Sequence, residues 1–224
     1  MVNPLKVALH SFLFDSPTIL AVIAKPALIQ WAASEAVKYI QEKILTGEPI
    51  LDNLSQWLEE ARTAHRRKKE EAGDTGKSVH LAIEEWIKNK TEPALDELGM
   101  KMFNNFTDWA VKNKVKFLES EKQVYSPSLF VAGTLDMICE INGKKFLGDI
   151  KTSSGIYGRE YFAQCAGYRL MIEEMGEKGF EGSIIIRIGK DGSFEEKYSY
   201  DYETDKKIFL ACVELYRGLE TFKI

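Results

Sequence analysis

The chain has 224 residues, 45% of them hydrophobic and 29% charged, with a formal net charge of −4. That length and balance exclude wholesale disorder and a bulk polycation, so any nucleic-acid surface has to be a local patch. The three cysteines, Cys139, Cys165 and Cys212, are far apart and in no CxxC spacing, which argues against a disulfide scaffold, a zinc ribbon or an iron–sulfur cluster.

The first apolar stretch is interrupted by Lys6, His10, Asp15 and Lys25, so no secretory leader is expected. No run approaches the ~20 apolar residues of a transmembrane helix. An intracellular, cytoplasmic protein is the expectation. The first half, residues 1–113, reads as mainly helical. Ser16-Pro17-Thr18 precedes Leu20, Ile23, Leu28, Trp31, Ala32, Val37 and Ile40 at roughly helical spacing, and Pro26 must start a helix or kink one. Gly47-Glu48-Pro49 is a stop, and Asp52 can cap a helix carrying Leu54, Trp57, Leu58 and Ala61. Gly73-Asp74-Thr75-Gly76 is expected to break that helix before a new one with Val79, Ile83, Trp86 and Ile87. Another helix is expected from Pro93 to Asn113.

From residue 114 to 224 the period changes. Alternation begins at Val115, and two strand-like runs, Leu129 to Ile141 and Lys145 to Ile150, flank Asn142-Gly143, a strong hairpin signal. Glu160 to Met175 returns to helix. Gly182 to Ile188 suits a buried central strand, Phe194 to Tyr200 an edge strand, and Asp205 to Leu219 a closing helix. The fold class is α/β, a small mixed sheet flanked by helices behind a helical N-terminal half, within a single domain spanning 1–224.

Asp136 and Asp149 fall on the two strands of the predicted hairpin, where facing residues lie about 5 Å apart. Two carboxylates so close repel unless a divalent cation sits between them, and oxygen ligands suit Mg²⁺ or Mn²⁺. Lys151 follows Asp149 by two positions and so points to the same side of its strand. The plain alternative is a solvated cross-strand charge cluster. An acid at the end of the apolar run Phe146-Leu147-Gly148-Asp149-Ile150 weakens it, because burying such a charge is costly unless it is paired or ligating.

Gly76-x3-His80, Gly133-Thr134-x-Asp136, Asp149-x-Lys151-Thr152 and Gln164-x3-Tyr168 occur in that order. This series resembles the motifs of the PD-(D/E)XK nuclease superfamily, in particular its RecB-like and Cas4-like exonuclease branch. The resemblance implies a restriction-endonuclease-like core and a metal-dependent deoxyribonuclease, most readily an exonuclease on single-stranded DNA ends in repair, recombination or replication. It implies that His80, Asp136, Asp149 and the Ile150 carbonyl hold Mg²⁺ or Mn²⁺, that Lys151 is catalytic, and that Gln164 and Tyr168 orient it. Glu121 matches an additional acid of many relatives, with Glu119 competing for that place. Some relatives carry four cysteines for an iron–sulfur cluster, which this chain lacks.

Residues 62–69 hold five Lys or Arg. Arg66, Arg67, Lys68 and Lys69 suit either a phosphate-contacting helix or a solvated face partly neutralised by Glu70 and Glu71. Trp31, Trp57 and Trp86 occupy apolar positions expected in a core, and Glu84 is expected to face solvent. Three other functions stay open on the sequence: a structure-specific endonuclease of the same fold, an inactive nuclease-fold DNA-binding protein and, more remotely, a non-nuclease α/β metal enzyme such as a phosphatase.

Overall fold

The computed structural model describes residues 14–220, with the side chains of Glu71 and Ala72 left out. The interruptions at Lys6 and His10 therefore lie outside the described residues. None of the described helices is long and apolar enough to cross a membrane. The chain divides into two compact units, one of Ala24–Lys77 and one of Met1–Ile23 with Ser78–Ile224.

In chain order the elements are β1 (Phe14–Asp15), α1 (Ser16–Leu20), α2 (Pro26–Leu45), α3 (Ile50–Asn89), α4 (Glu97–Lys112), β2 (Lys116–Ser126), β3 (Val131–Ile141), β4 (Lys144–Lys151), α5 (Glu160–Glu174), β5 (Phe180–Ile188), β6 (Phe194–Ser199) and α6 (Tyr202–Glu220). Six strands form one mixed sheet flanked by helices, the expected α/β class. β3 pairs antiparallel with β2 along one edge. Its other edge is shared by β1, parallel at Val131 and Ala132, and β4, antiparallel from Met137 to Ile141. β5 runs parallel to β4, with α5 as the crossover, and β6 closes the sheet antiparallel to β5.

Local chemistry explains the joints. Asn142 and Gly143 take φ of 52° and 76°, the two left-handed residues a two-residue hairpin needs. Asp96 caps α4 by accepting from the Gly99 amide at 2.7 Å, so this helix starts at Glu97 rather than at Pro93. Ile184, Ile185, Ile186 and Ile188 are all fully buried, which fits a strand covered on both faces. Exposed charges on β6, among them Glu196 and Lys197, blunt the sheet edge.

The sheet unit has a layer on each face. On one, Val79, Ile83, Met102 and Phe106 from α3 and α4 pack with Met137, Cys139, Phe146 and Ile184. On the other, Met171, Ile172, Phe209 and Val213 from α5 and α6 pack with Ile19, Ile138 and Leu147. All three cysteines are buried and unbridged.

The expected break at Gly73–Gly76 does not occur, since α3 is continuous from Ile50 to Asn89. A glycine inside a helix costs only about 1 kcal/mol relative to alanine. Buried positions on both sides of the pair, Trp57, Ala61 and Ala64 before it and Val79, Ala82 and Ile83 after it, reward helix throughout. In the Ala24–Lys77 unit, several apolar positions expected inside are exposed, including Leu28, Val37 and Leu58. Beside the buried Trp57, Ala61 and Ala64, that unit is joined by polar contacts. Glu35, almost fully buried, meets Lys68 at 2.7 Å and Lys38 at 3.1 Å, and Arg67 lies 5.1 Å over the Tyr39 ring.

Candidate metal centre

The candidate site lies where the sheet opens. β3 and β4 stay paired as far as Met137 opposite Gly148. The next facing pair would be Asp136 and Asp149, and there the backbone ladder stops. β4 continues its pairing with β5 out to Lys151, so β3 and β4 form a fork. The Ile150 amide, freed from the ladder, donates to Asp136 Oδ2 at 2.6 Å. A carboxylate thus replaces a strand at this point, satisfying a buried amide that would otherwise cost free energy.

The two motif acids are set by the fork and differ in surroundings. Asp149 is 3% exposed and faces Lys151, whose Nζ is 2.8 Å from Oδ1 and 2.7 Å from Oδ2. Among the described residues Oδ2 has no hydrogen-bond donor aligned to it. Burial pushes the Asp149 carboxyl up to about 6; Lys151 opposes this and Asp136 adds to it. Burial likewise raises Asp136, against the pull of Lys151 and the Ile150 amide. Lys151 loses hydration here, but Asp149 and Asp136 outweigh that loss and hold its ammonium charged well above the usual lysine range.

Two more groups approach from neighbouring elements. His80 on α3 places Nδ1 3.9 Å from Asp136 Oδ2 and bonds to the Ile150 backbone. Its pKa is lowered, chiefly by burial and in part by Lys151, so the ring is neutral near pH 7, the form that can ligate. Glu121 on β2 takes φ of 51°, a left-handed turn within a strand that re-aims its side chain. Burial, with Asp136 and Glu84 beside it, pushes Glu121 up to about 7. Donor atoms of His80, Glu121 and Asp136 all lie within 4.8 Å of one another. Donors across a Mg²⁺-sized ion sit roughly 4 Å apart, so this set fits such an ion after small adjustments. Of the two competing glutamates, Glu119 is turned to Lys122 at 3.4 Å and is half-exposed. Glu84 is half-buried, pairs with Lys88 and adds its charge near Glu121, so it is not simply solvent-facing.

Behind Lys151 the α5 motif forms a chain of contacts. Lys151 Nζ donates to Gln164 Oε1 at 3.3 Å, and Gln164 Nε2 donates to the Tyr168 hydroxyl at 2.9 Å. The Tyr168 ring lies against Gly133, where a Cβ would come within 2.6 Å of it. The glycine of one motif therefore makes room for the tyrosine of another. Sequence reasoning missed Tyr161, whose ring is 5.5 Å from Lys151 Nζ, and Ser120, which donates to the Asp136 carbonyl at 3.2 Å. Neither carries a spacing signal of its own.

The basic run lies in the other unit. Arg67 bonds Thr63 and the Glu60 carbonyl besides stacking on Tyr39, and Lys68 pairs with Glu35. Arg66 and Lys69 are exposed. Of the tryptophans, Trp57 is buried; Trp86 is half-buried among Phe103, Phe106 and Phe117; Trp31 is half-buried, edge-on to His65 at 6.4 Å.

No family model matches the chain, and no curated protein matches it. Among solved structures it is similar to the alkaline exonuclease LHK-Exo of Laribacter hongkongensis, at 12% identity over 66% of this chain and 84% of that one, with a TM-score of 0.33. It is also similar to SSO0001, at 16% identity over 52% of this chain, with a TM-score of 0.30. The chain spans 57% of the length of SSO0001.

Proposed function

We propose that this protein is a metal-dependent nuclease that hydrolyses phosphodiester bonds in DNA. The observation that carries the reading is the fork at Asp136 and Asp149. It holds buried, mutually repelling carboxylates beside a charged lysine, with His80 and Glu121 converging on the same point. The donor set of His80, Glu121 and Asp136 fits one divalent cation, and Asp149, whose Oδ2 lies 2.7 Å from Lys151 Nζ, stands beside it as a further carboxylate. An imidazole among the ligands favours Mn²⁺ over Mg²⁺. Such an ion, when bound, supplies Lewis acidity and lowers the pKa of a water molecule.

The chain's own residues do the rest. Lys151 holds a fixed positive charge where negative charge develops on a transferring phosphoryl group, and needs no reorganisation to do so. Gln164 accepts from the Lys151 ammonium and thereby restricts its direction, while Tyr168 fixes the Gln164 amide. Asp149 balances the Lys151 charge in the resting site.

Within this reading the substrate is a single-stranded DNA end, processed exonucleolytically. The order of the His80, Asp136, Asp149–Lys151 and Gln164–Tyr168 motifs supports that choice through its resemblance to the RecB-like exonuclease branch. Digestion of end-labelled linear and circular single-stranded DNA with Mn²⁺, Mg²⁺ or chelator tests it. Loss of the linear strand alone, only with metal, is expected. Cleavage of the circle assigns an endonuclease, and no cleavage of either strand refutes the nuclease.

A further inference from the structure

Immediately after Lys151 the chain enters a loop from Thr152 to Arg159, and this loop is held far more firmly than its irregular backbone requires. Arg187, itself 6% exposed, donates from Nη1 to the Ser153 carbonyl at 3.4 Å. Lys197 donates to the Ile156 carbonyl at 3.1 Å, and Glu195 accepts from the Ile156 backbone. Ser153 Oγ donates to the Gly155 carbonyl at 3.0 Å. At the far end, Arg159 Nε donates to the buried Asp205 at 3.0 Å. Ile156 is buried in a small cluster with Phe162, Cys165 and Ile185.

The next residue, Tyr157, is 76% exposed. Its hydroxyl donates to Ser154 at 2.9 Å, and its ring covers Gly155, where a Cβ would meet ring carbons at 2.8 Å. A large aromatic side chain is thus displayed on a braced loop. Its neighbour Tyr161 is half-buried and committed to Lys151. Position ties Tyr157 to the site as well. Ile156 packs with Ile185, and Ile185 is the strand partner of Asp149. Paired strands lie about 5 Å apart, and two isoleucines in side-chain contact have backbones up to about 12 Å apart, so the Tyr157 backbone lies within roughly 20 Å of Asp149.

We propose that Tyr157 is a base-stacking residue of this site, seating one base of the strand whose phosphate is held at the Asp136–Asp149 fork. The proposal rests on the nuclease reading given above. The fork is dominated by carboxylates, so nearby affinity for a polyanion needs a neutral source, and an aromatic face supplies one without charge. Stacking accepts any base, because every base has a π-face. A base can reach an exposed ring only when it is unpaired, which makes Tyr157 a device for choosing single strands. Arg187, Glu195 and Lys197 are positioning residues that act through the loop.

Binding of a short fluorescent oligodeoxythymidylate to the full chain in chelator, at two salt concentrations, tests this. A companion series carries one abasic position at a time. Tyr157→Ala is expected to weaken binding of the intact strand by between about fivefold and a hundredfold, to the same extent at both salt concentrations. Wild type should show one abasic position that costs affinity, and that cost should vanish in Tyr157→Ala. Tyr157→Phe, which keeps the ring, should behave as wild type. Binding of the intact strand by Tyr157→Ala within about twofold of wild type, or the same abasic cost in both proteins, overturns the proposal. The nuclease reading fails separately, through absence of metal-dependent cleavage by wild type, a result that leaves this binding comparison readable.

Discussion

The two compact units of this chain keep their stability in different places. In the sheet unit the largest side chains, among them Phe106, Phe209, Ile184 and Met171, are fully buried, and charged groups gather at the fork. In the Ala24–Lys77 unit Leu28, Val37, Leu45, Leu51 and Leu58 are exposed, while a glutamate, Glu35, is almost wholly buried between two lysines. Apolar burial is worth ~25 cal/mol per Å², whereas an exposed ion pair is worth ~0–1 kcal/mol. The sheet unit is therefore the frame held by apolar packing, and the helical unit leans more on ion pairs, which salt weakens. A site that must hold carboxylates together against their repulsion needs the former.

The largest contrast is in the core. Phe106→Ala should cost ~3–5 kcal/mol of stability by urea unfolding, whereas Leu58→Ala on the helical unit should stay within ~0.5 kcal/mol. Equal costs would erase the difference between the units. Next comes the site. Lys151→Ala should cut turnover by ~10²–10³ at saturating metal, and in chelator it should also lower the melting temperature, because Asp149 is left buried without its charge partner. An unchanged rate would remove Lys151 from the chemistry.

A third effect sets the fork against the buried glutamate. Glu121 and Asp149 have folded-state pKa values raised to about 7 and about 6. Their neutral forms are favoured in the folded chain, so their contribution is full below the unfolded values near 4 and is lost as pH rises through about 7. Glu35 is shifted the other way, chiefly by its bond from Lys68, so its contribution is present above about 4.5 and lost as pH falls below it. In chelator, melting temperature should decline from pH 5 to 8. Mn²⁺ at about a hundredfold over its dissociation constant should restore ~2.7 kcal/mol at the upper end. Identical curves with and without Mn²⁺ would detach the acids from any ion. The smallest effect concerns the basic run. Replacing exposed Arg66 and Lys69 by glutamine should flatten the log–log salt slope of single-strand binding by at most ~1.4, since each phosphate contact contributes ~0.7. A slope that does not change returns them to a solvated helix face.

How far the sequence reveals this arrangement depends on the range of the interaction involved. The Asn142-Gly143 turn, the apolar run of β5 and the amphipathic α4 are local patterns, and each element forms where its pattern predicts, within a few residues at the ends. The glycines at 73 and 76 mislead, because the burial of Trp57 and Ile83 on either side is not a local signal. At the fork, Asp136, Asp149 and Lys151 are readable from the hairpin, which places facing residues by arithmetic. The convergence of His80 and Glu121 on Asp136 is not, since it depends on how α3 and a left-handed residue in β2 meet β3. The same holds for Tyr161 and for the brace of Arg187 beneath the loop. Those contacts join residues between 10 and 56 positions apart, from Lys151–Tyr161 to His80–Asp136, with no spacing rule between them.

The account stands most directly on hydrolysis of end-labelled single-stranded DNA by wild type and by Asp149→Asn, each titrated with Mn²⁺ from a chelated start. Asparagine keeps the shape of Asp149 and removes the charge that faces Lys151 and the cation. The account predicts no cleavage by wild type in chelator, cleavage that saturates with Mn²⁺, and loss of nearly all of it in Asp149→Asn at every concentration. Cleavage by wild type in excess chelator, or equal rates for the two proteins, would contradict it.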